Sequence, residues 1–133
     1  MKMKLSIVVV LAAVMVSAFN CEEESDIKDE FVTEFSTVVS TALPENGKVN
    51  EEITFIVRHE GGECSQYSGN ETDPDGDDVI VTFYTSHLKN QMCQKNIRIF
   101  ETAYTFKPTT VGNYVFHFKR NESDLVQEIL ISE

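Results

Sequence analysis

The stretch Tyr104-Thr105-Phe106-Lys107-Pro108-Thr109-Thr110-Val111-Gly112-Asn113-Tyr114-Val115-Phe116 decides the architecture. Tyr104 and Phe106 flank the polar Thr105, the alternation of a strand with one buried face. Pro108 cannot donate to a ladder and ends that strand, and Gly112 permits the backbone to reverse. Tyr114 and Phe116 then restart the alternation, so one strand gives way to another across a short corner.

Working outward, period two continues in both directions. Val38 and Val39 sit in a first run that ends at the turn-forming Pro44-Glu45-Asn46-Gly47. Ile53, Phe55 and Val57 form a second run closed by Gly61-Gly62, and Val79, Val81 and Phe83 form a third. Ile97 to Phe106 is a fourth, with Phe100, Tyr104 and Phe106 on one side. Tyr114, Phe116 and Phe118 mark a fifth, Leu125 to Ile131 a sixth, and a further short strand is expected around Cys64 to Tyr67. No window carries a sustained helical period with caps. Six or seven short strands with turn signals between them predict an all-β, antiparallel two-sheet sandwich of about seven strands.

The corner at Pro108 to Tyr114 resembles the one between the fifth and sixth strands of immunoglobulin-like domains, where a tyrosine hydroxyl returns to the upstream backbone. The resemblance spans roughly Val38 to Ile131 in strand count and rhythm and implies a bacterial immunoglobulin-like sandwich. It departs from antibody domains, since Trp is absent and Phe116 stands where a Cys would follow the tyrosine.

The other end of the chain carries an address. Lys2 and Lys4 precede Leu5 to Val16, an aliphatic run interrupted by Ser6 and shorter than the roughly 20 residues that span a bilayer. That is the head and middle of a secretory signal. Cys21 comes next, and after it the acidic run Glu22-Glu23-Glu24-Ser25-Asp26. This leader resembles that of Bacteroidota-type surface lipoproteins, whose acid-rich segment after a lipidated cysteine resembles a surface-export signal. Ala18 and Asn20 depart from the usual lipobox. The resemblance implies a signal peptide over residues 1–20, lipid on Cys21 and an address at the cell outer membrane, exposed at the surface. Val16 and Ala18 offer a competing cleavage site before Phe19, which would leave a soluble secreted protein.

Cysteine parity bears on the same choice. There are three cysteines, and acylating Cys21 leaves Cys64 and Cys93 as a pair suited to an oxidising compartment. Two free thiols or soft-metal ligands are the alternatives, although no CxxC spacing supports zinc. Residues 21–34 are mainly charged, with Ile27, Phe31 and Val32 the only sizeable apolar ones, and read as an acidic tether. Residues 35–133 are then the sandwich domain.

Charge narrows the partners. The 133 residues hold 22 acidic and 11 basic side chains, a net charge of −11. Loss of the leader removes Lys2 and Lys4 and makes the balance still more acidic. Nucleic acid is excluded as a partner, because binding it needs a basic footprint. Membrane attachment would depend on acyl chains, and the remaining partner is a protein or a carbohydrate.

Candidate chemistry is sparse. Asp73, Asp75, Asp77 and Asp78, around Pro74 and Gly76, offer closely spaced carboxylates of the kind calcium takes, without the EF-hand arrangement, and would make the domain a calcium-dependent adhesion or carbohydrate-binding module. The same residues suit an exposed turn. His59, His87 and His117 are scattered, and no GxSxG, HExxH or phosphate loop accompanies them, so no catalytic residue is assigned. Asn70-Glu71-Thr72 and Asn121-Glu122-Ser123 match the N-glycosylation pattern and equally suit polar turns. Tyr67, Tyr84 and Phe100 are the one hint of a binding face; the competing reading places Phe100 and one face of the third strand in the core.

Overall fold

The computed structural model describes residues 30–133. The expected signal peptide, Cys21 and residues 22–29 of the expected tether lie outside them. Among the described residues are nine strands: β1 Phe31–Ser36, β2 Val38–Ala42, β3 Asn46–Lys48, β4 Ile53–Gly62, β5 Gln66–Asp75, β6 Asp78–Leu88, β7 Ile97–Phe106, β8 Gly112–Phe118 and β9 Leu125–Ser132. They form two sheets. One is three-stranded, in the order β2-β4-β7; the other runs β1-β6-β8-β9-β3, with β5 also paired to β6.

Alternation places the core between the sheets. In β4, Ile53, Phe55, Val57 and His59 are buried while Thr54, Ile56 and Arg58 face out. In β6, Val79, Val81, Phe83 and Thr85 are buried, and β8 adds Tyr114, Phe116 and Phe118. The centre is aromatic: Phe55 and Phe116 have ring centroids 4.7 Å apart, and Phe106 meets Phe116 edge-on at 5.2 Å. Each such pair contributes about 0.5–1.5 kcal/mol beyond the area it buries. At the corner, the Tyr114 hydroxyl donates to the Thr110 carbonyl at 3.0 Å, which ties the start of β8 to the segment before it.

Three expectations need correction. The sheet of six strands is mixed, because β6 runs parallel to β8 and β3 parallel to β9. There are nine strands where the sequence pattern predicts about seven; β3 forms within the predicted turn Pro44 to Gly47 and just beyond it, and β5 extends through the aspartate cluster. The tether, expected to reach residue 34, gives way by Phe31 to β1, which pairs antiparallel with β6 from Phe31↔Leu88 to Ser36↔Phe83. Composition hides this strand, because backbone pairing to an existing edge orders a segment that buries little of its own apolar surface.

β6 is the hub of the larger sheet. One of its edges is taken by β5 along most of its length; the other is shared, with β8 on Asp78 to Val81 and β1 on Phe83 to Leu88. Where those two strands abut, Thr37 carries the chain into the other sheet, held by Val38 N–H to Lys119 O and Glu60 N–H to Thr37 O.

Candidate functional site

The strand crossover brings together three polar side chains that are far apart in sequence. His59 is fully buried on β4, and its Nδ1 lies 2.7 Å from Ser36 Oγ. Its Nε2 lies 2.8 Å from Thr102 Oγ1. Ser36 donates its only hydroxyl proton to the Glu60 carbonyl, 2.6 Å away. The serine oxygen must therefore accept from Nδ1–H, which leaves Nε2 to accept from Thr102. Both ring nitrogens are satisfied in the neutral form. Burial pushes the imidazole below its ordinary range, because the charged form loses its hydration there. Phe83 and Phe100 enclose the ring at centroid distances of 4.9 and 5.6 Å.

A serine beside a histidine suggests a nucleophile and its base, but the geometry assigns another role. Ser36 is 1% exposed and spends its proton on the backbone, and Thr102 occupies the side where a triad places its orienting carboxylate. The cluster fastens β1, β4 and β7 together. Nothing in the sequence signals it, because its members belong to three strands whose pairing is a long-range property.

The sequence-predicted residues fall at the two ends of β6. Beyond Leu88, Cys93 is disulfide-bonded to Cys64, with Cα atoms 6.0 Å apart and a sequence separation of 29. At the opposite end β5 and β6 form a hairpin whose last pair is Asp75↔Asp78, with Gly76 at φ 64° in the turn. Asp73 and Asp75 share one face of β5, and Asp78 is engaged by His117 at 3.0 Å on the neighbouring strand. Among the described residues no group of three or more His, Cys, Asp or Glu is gathered closely enough to hold a metal. The hairpin spreads the aspartates along a ladder, whereas calcium needs them convergent. Asn70 is exposed on β5, and Asn121, Glu122 and Ser123 are exposed between β8 and β9.

The outward face of the larger sheet is the chemically richest open surface. Tyr84 lies there, half-buried, with Phe35 opposite it on β1 and Gly69 opposite it on β5. Gly69 sits at a register shift with φ 139°, and a Cβ there would meet nothing within 4 Å. The bulge thus leaves a hollow of about 390 Å³ beside the tyrosine, lined by Thr33, Ser68, Gly69, Asn70, Glu71 and Tyr84. Tyr84 donates to Glu71 Oε2 at 3.2 Å. Partial burial, then the Glu71 carboxylate, hold that hydroxyl protonated and above its ordinary range. Phe35 remains 39% exposed, and Phe31, on the same face of β1, 53%.

A comparison with known families bears on the whole arrangement. The family profile described as the ORF11 beta-sandwich domain matches residues 48–129. The chain belongs to that family. No curated protein and no solved structure gives a significant match. The matched part of this ORF11 beta-sandwich domain runs from the end of β3 into β9 and includes the disulfide, the hairpin and Tyr84. Strand β1, with Phe31, Phe35 and Ser36, lies before it.

Proposed function

We propose that the protein is a lipid-anchored, non-catalytic interaction module displayed at the cell surface, with lipid on Cys21 and a short acidic tether before the sandwich. The observation that carries this reading is cysteine parity. The Cys64–Cys93 bond accounts for two of the three cysteines and fits an oxidising compartment, and the third is the one placed behind the signal sequence. The Tyr114 corner supports kinship with bacterial immunoglobulin-like modules, and the closed Ser36–His59–Thr102 cluster supports a binding role over catalysis.

Geometry also suggests how the module would be presented. Lys89 bonds Glu30 through both backbone and side chain, so the described chain begins beside the disulfide-pinned loop. A tether leaving there would put the acidic hairpin at the far end of β6, roughly 35 Å away at the rise of an extended strand. The outward face of the larger sheet lies between, open to a partner.

Intact-mass measurement of the mature protein tests the anchor. An N-terminal Cys21 carrying diacylglycerol, several hundred daltons heavier than the peptide, is expected. An N-terminus at Phe19 without lipid would replace this reading with a soluble secreted inhibitor or carrier, which the Val16 and Ala18 cleavage site favours.

A further inference from the structure

The outward face around Tyr84 has a composition that selects its ligand. We infer that it binds a neutral oligosaccharide, with sugar rings stacked on Tyr84 and Phe35 and their hydroxyls bonded to Glu71. The inference rests on reading the protein as a binding module and is independent of the lipid anchor.

Three features converge. The first is an aromatic row on a rigid floor. Phe35 and Tyr84 are directly opposite across the β1–β6 ladder, and Phe31 lies on the same face of β1. Phe31 and Phe35 are four positions apart, roughly 13 Å at strand rise, a distance a short oligosaccharide spans. A sugar ring presents an apolar C–H face, which packs flat on an aromatic ring, and a sheet holds such rings in place without an ordering cost at binding. The second feature is the absence of cover. Gly69 has no side chain to lay over Tyr84, and the register shift at that point opens the adjoining hollow.

The third feature is the polar rim. Glu71 accepts from the Tyr84 hydroxyl and keeps further acceptor capacity, which suits the donor hydroxyls of a sugar. Thr33 and Ser68 add hydroxyls at the same hollow. The face holds a carboxylate, and the chain as a whole carries −11, so anionic polysaccharides are repelled and neutral ones meet no such penalty. A strand-forming peptide does not fit over Tyr84 itself, because the backbone of β6 is already paired to neighbours on both edges; strand addition would use the outer edge of β5 or β1 and not this face.

Native electrophoresis of the purified protein through gels containing soluble neutral polysaccharides tests this. The probes are a β-glucan, a xylan, a mannan and a starch dextrin, with polygalacturonate as the anionic control. At least one neutral gel is expected to retard the protein, while polygalacturonate does not. Tyr84→Ala should weaken that retardation at least tenfold, Glu71→Gln several-fold, and Asp75→Asn at the hairpin tip should leave it unchanged. Tyr84→Phe keeps the ring in its place and should retain most of the binding, which separates lost stacking from lost folding. Retardation by none of the neutral probes, or equal retardation of wild type and Tyr84→Ala, overturns the inference. Either result leaves the intact mass untouched, so failure here is distinguishable from failure of the anchor.

Discussion

Two connections leave β6, one at each end, and they are ordered by opposite means. At the acidic end the chain turns back into the same sheet. The ladder simply continues through Asp75↔Asp78, and Gly76 supplies the positive φ of the turn. The carboxylates of Glu71, Asp73, Asp75, Asp77 and Asp78 are tolerated there because they project into water from a paired backbone. At the other end the chain leaves Leu88 in one sheet and enters Ile97 in the other. No ladder can hold a segment that changes sheets, and Met92 within it is 99% exposed, so packing does not hold it either. The Cys64–Cys93 bond takes that role. At this strand the polar chain is ordered by the ladder where it returns to the same sheet, and by a covalent tie where it leaves for the other; the crossovers at Thr37 and at Pro108 to Tyr114 are held by hydrogen bonds instead.

The largest expected effect breaks the second connection. Replacing Cys93 by Ser frees a loop closed over a separation of 29, which the chain-entropy treatment values at about 3.6 kcal/mol. For a domain of this size that is a fall in melting midpoint of roughly 15–25 °C, read by calorimetry without reductant. An unchanged midpoint would show that the loop is held by its own contacts, and the contrast between the two ends would fail.

Acid adds to the comparison, because the buried histidine lies on β4, the strand that leads to Cys64. The folded state holds His59 below its ordinary pKa of 6.5. Above that pH both states are neutral there and the stability is complete; as pH falls below it, the unfolded chain takes up the proton first and stability declines. His59→Phe should remove this component of the decline as the pH falls below His59's ordinary value of 6.5, seen as the difference between the two proteins' midpoints. The same variant strands the Thr102 hydroxyl and should lower stability at neutral pH by about 1–3 kcal/mol.

Smaller effects belong to the hairpin. Gly76→Ala forces a side chain into a left-handed conformation and is expected to weaken the fold by about 1–2 kcal/mol in chemical denaturation. A neutral result would mean that the turn relaxes without its glycine. Smallest of all is the response to calcium. Aspartates strung along a ladder offer no convergent site, so millimolar calcium should leave the melting midpoint in place. A rise in the midpoint would show that Asp73, Asp75, Asp77 and Asp78 gather around the ion.

The legible parts of the fold are those with strong alternation. Ile53 to Val57, Val79 to Phe83, Ile97 to Phe106 and Tyr114 to Phe118 each read as strands and are strands. Strand β1 and the part of β5 beyond Tyr67 escape the pattern for one reason: both bury little apolar surface of their own, both lie against β6, and their order comes from pairing to its backbone. The face around Tyr84, proposed above as a binding surface, is half legible. Tyr84 stands out as an aromatic that a small core need not absorb, whereas Phe35 falls at the border of the acidic tether and Gly69 gives no signal in the sequence.

What the sequence alone determined is local: which side of each strong strand faces inward, and where most turns must fall. Alternation and turn chemistry are properties of neighbouring residues, so they can be read without knowing the partner. Tertiary structure alone decided the parallel pairing of β6 with β8, the meeting of Ser36, His59 and Thr102, and the placement of Phe35 and Gly69 on either side of Tyr84. Those depend on register between distant segments, where a shift of one residue sends every side chain to the opposite face.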